Sequence, residues 1–256
     1  MNIIADTHVH LYPCYDLERA FQIMRTNLTR LAPNHIQMGL MAERHDCRFF
    51  QGIVNGTLKI SHAPVELSGY GEAVRIREEG YNDLYLFAGR QIISKERLEV
   101  LALTTDTTIP DGLPVRDAIG RIHDCGAVAV LSWAPGKWFS RRGEIVSRLL
   151  DDHSPGELLL GDTTLRPWCW LEPRLMKKGR ESGFSVLAGS DPLPFVGEER
   201  MIGRYGSEWR MQGDLQDPVA SVREFLKQTD HSPVKIGSRC SGLTTARRIL
   251  KNYQVK

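Results

Sequence analysis

The run Asp6-Thr7-His8-Val9-His10 closes an apolar stretch, Ile3-Ile4-Ala5, with two imidazoles two residues apart. Side chains alternate along a strand, so His8 and His10 leave the same face of an extended segment, and two imidazoles on one wall suit a divalent metal. A His-x-His pair on a solvated strand is the ordinary alternative. A second apolar run, Phe184–Ala188, ends in Gly189-Ser190-Asp191-Pro192. Two small residues leave room for a ligand and the proline stops the strand, which frees the Asp191 carboxylate to join the imidazoles. Met38–Met41 leads into a third set, Glu43-Arg44-His45-Asp46. Glu43 and His45 share a face by the same period of two, and each is suited to ligate a metal or carry a proton. Asp16, which opens Leu17-Glu18-Arg19-Ala20-Phe21, reads either as a helix N-cap or as a further ligand. Cys14 and Cys47 flank the same segments, where a lone cysteine is more often a small buried hydrophobe than a nucleophile.

Several cations fall just after the ends of predicted strands. Arg44, Arg90, Lys137 and Arg166, with Arg48 and Arg204 beyond them, would make one end of the molecule electropositive and hold a phosphate or carboxylate. Trp133, Trp138 and Trp168 would floor a pocket there, or fill space between strands and loops.

These side chains need a scaffold that brings several strand ends together. Short apolar runs near 2–6, 35–41, 84–89, 99–103, 127–132, 157–160, 184–188 and 233–237 read as strands. Stretches with apolar spacings of three and four at 16–32, 71–80, 114–125, 142–151, 172–182, 218–229 and 243–253 read as helices. Such alternation predicts βα units, and seven or eight of them in 256 residues predict an α/β fold, a (β/α)7-8 TIM-like barrel with room for distortion, spanning 1–256 as one domain. No Gly-x-Gly phosphate loop follows the first strand, which argues against a doubly wound open sheet. Residues 191–217 read as a long loop over the end where the strands finish.

The ordered set of motifs resembles the polymerase and histidinol phosphatase (PHP) family of metal-dependent phosphoesterases, within the wider group of amidohydrolase-like enzymes. The matches run over about residues 3–195: His8 and His10, then His45-Asp46, then Gly89-Arg90-Gln91, then Ser132-Trp133-Ala134-Pro135, and finally Gly189-Ser190-Asp191-Pro192-Leu193. Gln91 stands where the family has a bridging carboxylate, and Trp133 and Leu193 stand where it has histidines. An amide bridges two cations poorly, and neither Trp nor Leu ligates a metal, so the full three-metal site of the family is not expected. The resemblance implies His8, His10, His45, Asp191 and Asp16 as ligands of one or two divalent ions (zinc, manganese or iron). The residues themselves offer Asp191, Glu43 and His45 as proton carriers, and the cations after the strand ends, Arg44, Arg90, Lys137 and Arg166, as substrate-binding groups.

With 33 basic against 31 acidic residues and no basic block, composition points to a small-molecule partner and gives no sign of nucleic acid or a membrane surface; the strand-end cations make that molecule anionic, and the resemblance implies that it is phosphorylated. Five scattered cysteines without a Cys-x-x-Cys pair and no secretory leader lead to an expectation of a cytoplasmic protein; the oligomeric state is not legible. The function expected is metal-dependent hydrolysis, a phosphoesterase that activates water on a divalent ion at the C-terminal mouth of the barrel. Two alternatives remain open: a barrel that has lost catalysis and serves as a binding domain, and a mononuclear amidohydrolase.

Overall fold

A computed structural model describes residues 1–211, 215–228 and 233–254. The predicted helix end at 229 and residues 212–214 of the predicted loop lie outside the described residues. The chain forms two mixed sheets, and the expected TIM-like barrel is not what it builds. The first sheet has seven strands: β1 (Asn2–Val9), β2 (Ile36–Met41), β3 (Glu66–Gly69), β4 (Ala73–Arg77), β5 (Leu84–Phe87), β11 (Tyr205–Arg210) and β12 (Val234–Gly237). Their spatial order is β12-β11-β1-β2-β5-β4-β3. The second sheet holds β6 (Gly89–Ile93), β7 (Glu99–Leu103), β8 (Val128–Ser132), β9 (Leu158–Thr163) and β10 (Val186–Gly189), in the order β10-β9-β8-β7-β6.

Connection length explains the departure from a barrel. Parallel neighbours need a crossover of about a dozen residues or more, and β1, β2, β8, β9 and β10 are joined through helices of that kind: α1 (Leu17–Leu31), α4 (Ser140–Asp152) and α5 (Arg174–Glu181). Several other links are short. The turn Ser94–Leu98 joins β6 to an antiparallel β7, and β4 runs antiparallel to both β3 and β5. The predicted helix over 71–80 is in fact β4, where Val74 and Ile76 are buried and Arg77 is exposed, a period of two with β-branched residues on the covered face. Within the predicted loop 191–217 lies β11, paired antiparallel with β1.

The sheets meet at two seams rather than in a closed ladder. At one, the Thr7 hydroxyl donates to the Ala188 carbonyl at 2.9 Å and the Ser207 hydroxyl accepts from the Ala188 N–H at 2.8 Å, so β10 satisfies part of its backbone through side chains. At the other, Glu43, just past the end of β2, forms an isolated bridge with Arg90 of β6. There the Glu43 N–H donates to the Gly89 carbonyl at 2.9 Å and the Gln91 N–H to the Glu43 carbonyl at 2.8 Å. Between the sheets lies a core that includes Ile3, Met38, Leu40, Leu101, Val130, Leu159 and Leu187, each such side chain contributing about 1.5–3 kcal/mol by its burial. On the outer faces, α1 and α2 (Phe49–Val54) cover the first sheet, and α3 (Val115–Asp124), α4 and α5 cover the second. The helix α6 (Pro218–Lys227) packs against the inter-sheet core, stacking Phe225 on Trp209 at 5.4 Å. No helix among the described residues is long and apolar enough to cross a membrane.

Candidate metal centre

From Ile3 to Val9 every residue of β1 is buried, so the polar residues towards its end lie in the protein interior. His8 and His10 are each 2% exposed, and their Nε2 atoms stand 3.0 Å apart. Asp191 completes the group, its Oδ1 lying 3.7 Å from His8 Nε2 and 3.6 Å from His10 Nε2. Among the described residues this is the group of three side chains placed to hold a metal ion.

The donor set fits a divalent ion. Two ligands at about 2.1 Å from one ion stand roughly 3.0–3.6 Å apart for angles of about 90–120°, which matches these separations. The carboxylate–imidazole distances are too long for direct hydrogen bonds. Burial pulls the His8 and His10 imidazoles down from 6.5 to about 3, which keeps them in the neutral, ligating form. The same burial raises the Asp191 carboxyl, against the pull of His10, Arg248 and a Thr163 hydrogen bond.

The surrounding backbone fixes the three ligands. Asp6, fully buried one pleat before His8, accepts from the N–H groups of Ser190 and Gly203 at 2.8 Å and of His8 at 3.2 Å, and so ties β1 to the turn that carries Asp191. Asp191 itself has φ +49, a left-handed conformation that Asp tolerates better than most side chains, and its N–H donates to the His8 carbonyl at 3.0 Å. Gly189 has to be glycine, since a Cβ there would lie 2.4 Å from His8 Cβ and 2.5 Å from His8 N. Behind the rings, Ser132 Oγ is 3.5 Å from His8 Nδ1, and His10 is hydrogen-bonded to the backbone of Ala42, which orients the ring as outer partners of metal-ligating histidines do. On α7 (Gly242–Gln254), the buried Arg248 donates to the Asp191 carbonyl at 3.1 Å, to Thr164 Oγ1 at 2.8 Å and to Glu198 at 2.7 Å.

Sequence reasoning missed Asp6, Ser132, Thr163, Glu198 and Arg248. The period of two that selected His8 and His10 also selects Asp6. Arg248 sits in an amphipathic helix with the spacing of an ordinary surface cation, and nothing in its neighbours marks it.

The other predicted residues divide. Asp16 is exposed and caps α1 by accepting from the Arg19 N–H at 3.1 Å, so its carboxylate is not gathered with the histidines. His45 stands at the rim, with 65% of its side chain exposed and Nδ1 3.5 Å from Asp111, outside the ligand group. Glu43 is buried; it accepts from the Phe50 N–H at 3.0 Å and from Arg90 at 2.9 Å, which ties the end of β2 to β6. Arg90 is correspondingly spent on Glu43, the Cys47 carbonyl and Asp106, and does not line the cleft. Arg166 is locked in a two-pronged pair with the buried Asp162, at 2.7 and 2.5 Å, and also lies away from the cleft lining. Arg44 and Lys137 do line it. Arg44 is held by Asp46 at 2.9 Å, and Lys137 by Glu99 at 3.2 Å. Trp133 is wholly buried in the core beside α4, and Gln91 and Leu193 face the cleft.

This cleft, about 700 Å³, opens over His10 and Asp191. Arg44, Arg97, Lys137 and Arg142 line it against Glu99, Asp111 and Asp191, which leaves one positive charge in excess before any metal is added. Ile249, Asn252 and Tyr253 of α7 form another part of its wall.

No family model and no curated protein matches the sequence. Solved structures do match the fold. PsfC from Pseudomonas syringae PB-5123 is similar over 99% of this chain and 97% of its own, with 13% identity and a TM-score of 0.55. The lesion-specific endonuclease PfuEndoQ from Pyrococcus furiosus is similar over 89% of this chain, which spans 56% of that protein's length, with 13% identity and a TM-score of 0.50. An endonuclease Q complex with a 27-mer duplex substrate carrying an abasic lesion matches at 11% identity and a TM-score of 0.47, over 89% of this chain and 57% of that one. At these identities the likeness is one of fold alone. It also overturns the expectation of a small anionic substrate with no nucleic acid, since an endonuclease is built on this fold. The physical reason is that cations can converge on one cleft from separate segments, as Arg44, Arg97, Lys137 and Arg142 do, without forming a basic block in the sequence.

Proposed function

We propose that this chain is a metal-dependent phosphoesterase acting on phosphodiester bonds of nucleic acid, with one divalent ion held by His8, His10 and Asp191. The observation that carries this reading is the coincidence of that buried ligand group with a cation-lined cleft above it. A fold shared with a lesion-specific endonuclease supports the choice of bond. A divalent ion there supplies Lewis acidity towards water and the phosphoryl oxygens.

The chain's own residues do the rest. Arg44, Lys137 and Arg142 bind phosphate oxygens from the rim, with Lys137 and Arg44 held in place by Glu99 and Asp46. Arg142 is anchored through one arm to the Gly136 carbonyl at 2.6 Å. Asp191 takes up a proton at its carboxylate, and His45, paired with Asp111 at the rim of the same cleft, passes protons to solvent. Glu43, Arg90 and Arg166 take no part, because their partners already occupy them.

The test is hydrolysis of bis(p-nitrophenyl) phosphate and of end-labelled oligonucleotides, intact and carrying an abasic lesion, by protein supplied with manganese or zinc. Cleavage that appears with metal and stops with chelator is the expected result. A protein that binds metal and leaves every phosphodiester intact would refute the proposal and favour a binding role.

A further inference from the structure

Tyr12 follows His10 by two residues and turns into the same cleft. Its ring is fixed on several sides. It stacks on His10 at 5.5 Å with 26° between planes, meets the edge of Tyr15 at 5.4 Å, and lies under the Arg44 guanidinium at 5.9 Å. Only 6% of the residue is exposed.

A tyrosine this buried normally satisfies its hydroxyl within the protein. The other two buried tyrosines around the site do so: Tyr15 donates to the Leu193 carbonyl at 2.6 Å and Tyr205 to Asp162 at 3.0 Å. The Tyr12 hydroxyl makes no hydrogen bond to any described residue, and it is not sealed in the core but opens into the cleft that Arg44, Lys137 and Asp191 line. A rigidly held, unpartnered donor beside a metal-ligating histidine is the arrangement of a group kept for a ligand.

We propose that Tyr12 is a catalytic residue whose hydroxyl donates a hydrogen bond to a phosphoryl oxygen of the substrate, while its ring braces His10. This rests on the phosphoesterase reading above. The donor acts on the phosphoryl group common to free phosphate and nucleic acid, so inorganic phosphate is a sufficient probe.

The experiment is calorimetric titration of inorganic phosphate into metal-loaded wild-type protein and into Tyr12→Phe, with metal affinity and thermal midpoint measured on both. Phenylalanine keeps the ring and its stacking, so metal affinity and midpoint should stay at the wild-type values. Phosphate binding should weaken about ten- to a hundredfold, the loss of one hydrogen bond to a charged group. Where hydrolysis is measurable, kcat/KM on the phosphodiester should fall with it. Equal phosphate affinity in the two proteins overturns the role of Tyr12 and leaves the phosphoesterase reading standing. Absence of phosphate binding by metal-loaded wild-type protein, together with no phosphodiester cleavage, overturns that reading and this one with it. Loss of metal from Tyr12→Phe would also refute the proposal, since the hydroxyl would then serve the metal centre and not the substrate.

Discussion

Replacing His8 and His10 together by alanine is expected to empty the protein of bound metal and to abolish phosphodiester hydrolysis, with the chain still folded. The two Nε2 atoms supply two of the three ligands, and Asp191 alone is a weak site for a divalent ion. Loss of the ion removes several kcal/mol of transition-state stabilisation, about three orders of magnitude in rate. The fold survives because Ile3, Ile4, Ala5 and Val9 anchor β1 in the two cores, and the space left behind borders the open cleft, which water can fill. Metal content by elemental analysis and far-ultraviolet circular dichroism measure the two halves of the expectation. A double variant that retains a full complement of metal would show that the site lies elsewhere.

Arg166→Met is expected to cost about 3–5 kcal/mol of stability while leaving metal content unchanged. Asp162 is wholly buried, and removing Arg166 strands its charge with only the Tyr205 hydroxyl and Lys235, 3.6 Å away, for company. The pH dependence has a definite sign. Burial pushes the Asp162 carboxyl up, but the hydrogen bonds and charge of Arg166, with Lys235 and Tyr205 adding, hold it below the ordinary carboxylate value. In the wild type this pairing contributes stability above about pH 4, which is lost as pH falls through the lower folded value. In the variant, burial acts with its main opponent gone, the folded-state pKa rises, and stability is lost as pH increases above about 4. The deficit is therefore largest near neutrality and shrinks on acidification, which urea unfolding at several pH values would read directly. A variant as stable as the parent that fails to bind phosphate would return Arg166 to the substrate.

Much of this arrangement is written in the sequence, and the gaps have physical causes. All eight predicted strands form, seven of them as compact apolar runs that are largely buried, while the largely exposed β12 is held by its antiparallel pairing with β11. Strand direction is not in such runs: β7 looks like β8 in composition, yet the short Ser94–Leu98 turn reverses it against β6 and it runs antiparallel to β8 as well. The strand β4 read as a helix because Ala73, Ile76 and the residues around them fall at spacings that serve both periods. At the centre, His8, His10 and Asp191 were visible because strand ends with ligating side chains are rare and their spacing is fixed by the pleat. The cations were harder to sort. Lys137 and Arg44 keep to the cleft, whereas Arg90 is withdrawn by Glu43, 47 residues away, and Arg166 by Asp162, four residues before it. The second partner could have been noticed from spacing, and the first could not. Asp16 had two readings in the sequence, and its hydrogen bond to the Arg19 N–H is that of the cap.

The most direct measurement of the central claim is the number of divalent ions per chain in protein purified without chelator or metal-affinity resin, then supplied with manganese, zinc or iron and freed of excess. The His8, His10 and Asp191 geometry predicts one tightly held ion per chain. A chain that retains none after metal is supplied would contradict the metal centre and with it the hydrolytic mechanism.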